Sequence, residues 1–136
     1  MPRILAIDYG GKRTGLATTD PLQIIVTPIE TILTVDLFDY LIKYLKEEEV
    51  ELVVIGMPLD ADGNETDNTK GVLKFEENFT KKFGIPTVFE DESYTSQKAK
   101  MALVEGGFRK SQRQKKGSLD AISAVFILKS YLGEDW

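Results

Sequence analysis

The order of the hydrophobic patterns most constrains the fold of this chain, because three strand-like segments precede any helical pattern. Residues 3–9, 13–19 and 23–32 alternate or cluster apolar residues as strands do. Turn sequences at Gly10-Gly11 and Asp20-Pro21 separate these segments. The chain is therefore predicted to open with three consecutive antiparallel strands.

A helix is predicted directly after the third strand, in which Pro28 indicates a sheet edge or a bulge. Leu37, Leu41 and Leu45 recur at helical spacing, and Asp36 is placed to begin the helix. The change of period marks the end of the antiparallel meander.

The rest of the chain alternates strands with helices. The continuous apolar run 52–55 is typical of a strand that is covered on both faces. Further predicted elements are a helix that ends at Gly84, a strand at 87–89, a helix at 96–105 and a last helix with Ser118 as N-cap. This order predicts an α/β fold with a mixed five-stranded sheet flanked by helices. The length of 136 residues predicts a single domain over 1–136.

Two missing residue types limit the chemistry that the chain can perform. The sequence contains no cysteine and no histidine, which excludes disulfides, thiol catalysis, zinc ribbons and Ser-His-Asp triads. Any catalysis falls to carboxylates, lysines, hydroxyls or a metal held by oxygen atoms. No apolar run approaches the roughly 20 residues of a membrane span, and the N-terminal apolar run is too short for a signal peptide. We therefore expect a cytoplasmic protein without membrane contact.

Four acidic residues lie at the ends of predicted strands or at the start of the last helix. Asp8 lies at the end of the first strand, Asp91 and Glu92 follow the fifth, and Asp120 lies in the first turn of the last helix. Neighbouring strand residues face opposite sides, so only one of Asp91 and Glu92 can share a site with Asp8, and the sequence does not choose between them. Each acid also has a structural interpretation: a turn hydrogen bond, a solvated strand end or a favourable interaction with the helix dipole.

Acids from three distant parts of the chain can form one metal site. Carboxylate oxygens are preferred ligands of Mg²⁺ and Mn²⁺, and small residues three and four positions after Asp120 leave room beside it. Such ions support phosphodiester hydrolysis without histidine or cysteine, with a metal-bound water as nucleophile. We therefore expect catalysis and metal binding by Asp8, one of Asp91 and Glu92, and Asp120.

Positive charge is concentrated in one stretch, although the net charge is −5. Five of the eight residues 109–116 are basic, and the stretch lies directly before Asp120. A charged run is often only a solvated loop, but here it can bind phosphates without reading sequence. The expected substrate-binding residues are Lys12, Arg13, Arg109, Lys110, Arg113, Lys115 and Lys116.

Short motifs along nearly the whole chain resemble those of the YqgF (RuvX) family, whose members are described as pre-16S rRNA nucleases and Holliday-junction resolvases. The matching segments, in family order, are Asp8-Tyr9-Gly10 with Lys12-Arg13 and Gly15, Asp20-Pro21-Leu22 with Thr27-Pro28, Gly56-Met57-Pro58-Leu59, Asp91-Glu92, and Lys116-Gly117 with Asp120 and Ala124.

The resemblance implies an RNase H-like fold and a metal-dependent endonuclease. It implies Asp8, Glu92 (or Asp91) and Asp120 as the acidic site, and Mg²⁺ or Mn²⁺ as cofactor. The implied substrate is nucleic acid: precursor ribosomal RNA cut at the 5′ end of pre-16S rRNA, or alternatively a branched DNA junction. The protein is expected to act as a monomer or a homodimer.

Two further functions remain open from the sequence. One is an ATP-binding module of the actin–hexokinase kind, which also begins with an Asp-Gly hairpin but needs two lobes. The other is a non-catalytic protein that binds nucleic acid or the ribosome.

Overall fold

The computed structural model describes residues 2–57, 67–91 and 116–133. Strands and helices follow one another in the predicted order. The elements are β1 (Arg3–Asp8), β2 (Arg13–Thr19), β3 (Val26–Leu33), a 3-10 turn (Thr34–Asp36), α1 (Leu37–Glu47), β4 (Val50–Met57), α2 (Asp67–Phe83), β5 (Thr87–Asp91) and α3 (Lys116–Leu132).

The five strands form one mixed sheet in the order β3-β2-β1-β4-β5. β1 pairs antiparallel with β2 and parallel with β4, and β4 pairs parallel with β5. Ile7 pairs with Ile55, and Met57 pairs with Asp91, so the carboxyl ends of the three parallel strands reach the same edge of the sheet. This confirms the predicted mixed five-stranded sheet and shows that its first, fourth and fifth strands are parallel.

One face of the sheet is covered by α1 and α2. Alternate residues of β1 and β4 point into this layer, as the period of two along a strand requires. The helices contribute Leu37 and Leu41 from α1 and an apolar stripe from α2. The buried residues of this core are Leu5, Ile7, Leu16, Leu37, Leu41, Val50, Val53, Ile55, Val72, Phe75 and Phe79.

The opposite face is covered by α3, which contacts all five strands. The intervening residues of the same strands form this second core, which consists of Ile4, Ala6, Ala17, Val54, Ala124, Ile127 and Leu128. Small side chains on both sides let the helix lie close to the sheet. A strand buried on both faces explains the continuous apolar run in β4.

The third strand begins later than predicted. Residues 23–25 belong to the preceding loop, where the carboxylate of Asp20 accepts hydrogen bonds from the backbone N–H groups of Leu22, Ile24 and Ile25. Gln23 adopts a left-handed conformation with φ of 59° there. The chain therefore turns before it can pair with β2. Pro28 lies at a register shift on the edge strand, as predicted.

One of the two predicted helix starts is confirmed and the other differs. Asp36 is the N-cap residue of α1 but makes no capping hydrogen bond with its side chain. The last helix begins at Lys116, so Ser118 lies inside α3 and the prediction that it is the N-cap is wrong. A glycine such as Gly117 is tolerated there because the N–H groups of the first turn have no intrahelical partner anyway. The helix predicted at 96–105 lies outside the described residues.

No helix within the described parts of the chain is long and apolar enough to cross a membrane.

Candidate nuclease site at the edge of the sheet

Asp8 is the last residue of the central strand β1. Ile4 and Ala6, which precede Asp8 by four and two residues, lie in the core under α3. The period of two therefore directs the half-buried carboxylate of Asp8 to the α3 face. The strand carries a carboxylate out of an apolar core at the edge where ligands of parallel sheets bind.

The turn after Asp8 requires a glycine at position 10. A Cβ atom on Gly10 would overlap the backbone carbonyl of Arg13. The carbonyl oxygen of Gly10 also accepts a hydrogen bond of 2.6 Å from the hydroxyl of Thr34, and the N–H of Thr34 donates to the carbonyl of Lys12 at 2.9 Å. The hairpin is thus compact and is fixed to the segment that precedes α1.

Arg13 begins β2 and shares the face of Asp8. Asp8 pairs with Gly15, and Arg13 precedes Gly15 by two residues. Arg13 therefore faces the same side as Ala17, which packs under α3. Diagonal neighbours of this kind are about 7–8 Å apart, within the reach of an arginine. The guanidinium of Arg13 can therefore bind a phosphate that lies beside Asp8. Lys12, which precedes the strand, is exposed.

The fifth strand brings a further acid to the α3 face. Val88 packs against the core under α3, and Glu90, two residues later, accepts a hydrogen bond of 2.8 Å from the hydroxyl of Ser130 in α3. Gly56 pairs with Glu90, and Met57 with Asp91, at the edge of the sheet. Sequence analysis did not select Glu90, because the sequence alone does not reveal that Val88, which has the same parity, lies on this face.

The position of Asp120 follows from the course of α3 across the sheet. The bond from Ser130 to Glu90 fixes the C-terminal part of the helix beside β5. Residue 120 lies ten residues earlier, about 15 Å along the helix axis, whereas β5 and β1 are about 10 Å apart. One turn later, Ser123 and Ala124 are buried, with exposed fractions of 2% and 0%. The backbone of Asp120 therefore lies in the part of α3 that has crossed from β5 towards β1 and β2.

The predicted site residues are described to different extents. The side chains of Asp8, Lys12 and Arg13 are described, whereas Asp91, Lys116 and Asp120 are described as backbone within β5 and α3. The predicted residues that lie outside the described ones are Glu92, Arg109, Lys110, Arg113 and Lys115. Over the described side chains, no three acids come together as a metal-binding group.

Comparison with known proteins identifies a family model and close relatives that match nearly the whole chain. Residues 2–134 match a family model described as "RuvX: Holliday junction resolvase". A protein of Phocaeicola vulgatus named "Putative pre-16S rRNA nuclease" is 45% identical over 133 residues, which cover 97% of this chain and 96% of the relative. A relative of Amoebophilus asiaticus with the same name is also 45% identical, over 97% of this chain and 94% of its own.

Solved structures confirm the RNase H-like fold. The RuvC protein of T. thermophilus, in complex with a Holliday junction substrate, superimposes with a TM-score of 0.58 at 16% identity and covers 98% of this chain and 97% of its own. The Fowlpox virus resolvase, in complex with Holliday junction DNA, gives a TM-score of 0.56 at 17% identity over 96% and 97% of the two chains. At these identities the likeness establishes the fold.

Proposed function

We propose that this chain, which belongs to the RuvX family described as Holliday junction resolvases, is a nuclease that hydrolyses phosphodiester bonds in structured nucleic acid. The observation that carries the proposal is the position of Asp8 at the carboxyl end of the central strand, on the α3 face and diagonal to Arg13. The names of the relatives favour precursor 16S ribosomal RNA as the substrate. We propose that the protein cuts this RNA at its 5′ end in the cytoplasm.

The donor set fits a hard divalent ion, Mg²⁺ or Mn²⁺. The chain has no histidine or cysteine, and the edge of the sheet offers carboxylate oxygen from Asp8. We assign Asp8, Glu92 and Asp120 as the residues that would hold the ion. When bound, such an ion activates the attacking water and stabilises the departing oxygen.

Strand parity supports Glu92 over Asp91 as the second ligand. Val88 and Glu90 lie on the α3 face of β5, and residue 92 has the same parity in the sequence. Asp91 has the opposite parity. The course of α3 supports Asp120 as the third ligand. Ser130 lies beside β5, and the ten residues back to Asp120 carry the helix towards β1, the strand that ends at Asp8.

The basic residues would bind the substrate around the scissile phosphate. Arg13 would orient the phosphate next to Asp8, and the compact Gly10 turn would keep this arginine in place. Lys12 and the basic residues of 109–116 would contact neighbouring phosphates, which gives affinity that does not depend on sequence.

Cleavage of a branched DNA junction is the second candidate. The family description and the two solved structures with Holliday junction DNA favour it. A junction resolvase cuts two strands, which favours a homodimer, whereas processing of one RNA end needs only a monomer.

The deciding experiment incubates the protein with precursor 16S RNA and with a four-way DNA junction, in Mg²⁺, in Mn²⁺ and in chelator. We expect cleavage that needs the ion, and loss of cleavage by Asp8→Asn of more than about a hundredfold, since replacing a residue that only orients a metal ligand already costs about 10–100-fold. Asp39→Asn, which alters an exposed acid in α1, is the matched control and should cleave as the wild type does. Binding without cleavage by the wild type in every condition would instead indicate a non-catalytic nucleic-acid-binding protein.

A further inference from the structure

We propose that a cavity on the α1–α2 face of the sheet binds an unpaired nucleobase of the substrate. The cavity has a volume of about 300 Å³ and lies between the end of β1, the start of α1 and α2. Its lining includes Tyr9, Phe38, Gly71, Lys74, Phe75 and Asn78. The role as a substrate subsite rests on the proposed nuclease function, although nucleotide binding can be measured without it.

Aromatic rings form one wall of the cavity. Tyr9 stacks on Phe75 with ring centroids 4.9 Å apart and planes 24° apart, and Phe38 packs on Phe75 with centroids 5.5 Å apart. Phe75 is buried at 3% exposure and holds the other two rings, which are half-buried. Half-buried rings fixed from behind can accept a base by stacking, which every base permits because each has a π-face.

Polar groups of α2 lie beside Phe75 in the cavity lining. Lys74 and Asn78 are four residues apart on α2, so they lie on the same side of the helix, and both are exposed. The amide of Asn78 offers both donors and an acceptor, which matches the hydrogen-bonding edge of a base. The ammonium of Lys74 adds attraction for an anionic nucleotide. A purely apolar ligand would leave both groups without matched partners.

The cavity stays open because α2 has a glycine where it faces Tyr9. A Cβ atom on Gly71 would lie 3.6 Å from Cε1 of Tyr9, at ordinary contact distance. Any larger side chain would extend from there into the cavity. A glycine inside a helix is less favourable than an alanine, so the open space is maintained at some loss of helix stability.

The cavity and the candidate nuclease site are joined by consecutive residues. Asp8 and Tyr9 have Cα atoms about 3.8 Å apart, and neighbouring residues in a strand direct their side chains to opposite faces. Tyr9 accordingly packs in the α1–α2 core, whereas Asp8 lies on the α3 face. A single strand of nucleic acid with a phosphate at Asp8 can therefore pass over the edge of the sheet and place a nearby base in the cavity.

The first test is a titration of the ¹⁵N-labelled protein with AMP, GMP, CMP and UMP, followed by NMR, with inorganic phosphate as the control for phosphate binding alone. We expect nucleotides, but not phosphate, to shift the signals of the Gly71 backbone amide and the Asn78 side-chain amide. Gly71→Leu should abolish these shifts, and Asn78→Ala should weaken binding about tenfold. Lys81→Ala, which removes a charge from α2 outside the cavity, should bind as the wild type does.

Two results would overturn the proposal: nucleotide shifts that avoid the cavity, or equal binding by the wild type and a folded Gly71→Leu protein. Asn78→Ala provides the same comparison if Gly71→Leu does not fold. A cleavage assay separates this proposal from the nuclease function. Cleavage by a wild-type protein that binds no nucleotide in the cavity overturns the cavity alone. Nucleotide binding in the cavity without any cleavage overturns the nuclease function, and with it the role of the cavity as a substrate subsite.

If the protein is a nuclease and the cavity binds a base of its substrate, Asn78→Ala should raise the KM for RNA with an unpaired segment and leave kcat unchanged. An equal loss in kcat would instead indicate a general structural defect.

Discussion

A chain of two hydroxyl groups fixes the hairpin that follows Asp8, and its disruption gives the sharpest prediction. Thr34 donates its only hydroxyl proton to the carbonyl oxygen of Gly10 at 2.6 Å. The bond of 2.9 Å between the hydroxyls of Thr14 and Thr34 must then be donated by Thr14. Thr14 is fully buried, with 0% exposure. Each hydroxyl in this chain therefore has a defined and different role.

The two threonines should respond differently to replacement by valine, which has nearly the same shape. Thr34→Val deprives the Gly10 carbonyl of a partner and leaves the buried Thr14 hydroxyl without its acceptor. We expect the free energy of unfolding to fall by about 1–3 kcal/mol. Thr14→Val removes one bond but leaves Thr34 bonded to Gly10, so the expected loss is about 1 kcal/mol. In the double variant no hydroxyl is left buried, so its loss should be no larger than that of Thr34→Val.

Urea denaturation followed by circular dichroism measures these three losses as a double-mutant cycle. At this chain length, 1 kcal/mol corresponds to a shift in Tm of about 4 °C, which provides a second readout. Thr27→Val, on the exposed part of β3, is the matched control and should change stability by less than about 0.5 kcal/mol. Losses that simply add in the double variant, or a larger loss for Thr14→Val than for Thr34→Val, would refute the hydrogen-bond chain.

Three further predictions concern other parts of the molecule. Gly10→Ala should lower the free energy of unfolding in urea by about 1–3 kcal/mol, because its Cβ meets the Arg13 carbonyl, and unchanged stability would contradict this tight turn. The backbone N–H groups of Ile25, Ile24 and Leu22 hold the pKa of Asp20 below 3.8, so its contribution to stability is present above that pH and is lost as the pH falls through the lowered pKa. The Tm advantage of the wild type over Asp20→Asn should therefore shrink only in acid, and an advantage independent of pH would argue against it. Arg13→Ala should weaken binding to RNA. Because one phosphate contact is lost, the slope of the logarithm of the binding constant against the logarithm of the salt concentration should decrease in magnitude by about one. An unchanged slope would place Arg13 away from the substrate.

The sheet could be predicted because its strands carry clear periodic patterns. The continuous apolar run in β4 indicated burial on both faces, and the structure places Val53 and Val54 in the two opposite cores. The start of β3 could not be predicted, because Ile24 and Ile25 are apolar yet 63% exposed. The carboxylate of Asp20 binds the backbone of this loop and overrides the strand propensity of the two isoleucines.

The choice between Asp91 and Glu92 shows where the sequence alone stops. Val88 and Phe89 are both apolar, so their pattern does not reveal which of them faces the core. In the structure, Val88 packs under α3, whereas Phe89 on the edge strand is 39% exposed. Neither propensity nor spacing contains this information, because it depends on which side of β5 the last helix crosses.

The hairpin after β1 links the chemistry proposed for one face of the sheet to the recognition proposed for the other. Thr34 lines the cavity beside Tyr9, and its hydroxyl and N–H hold the Gly10 and Lys12 carbonyls of the hairpin that leads to Arg13. A base seated in the cavity would contact the residue that fixes this hairpin. Because binding that restrains Thr34 also restrains Gly10, a substrate with an unpaired base should bind more tightly and keep Arg13 better ordered beside Asp8 than a fully paired one. The two faces would then select for substrate structure together.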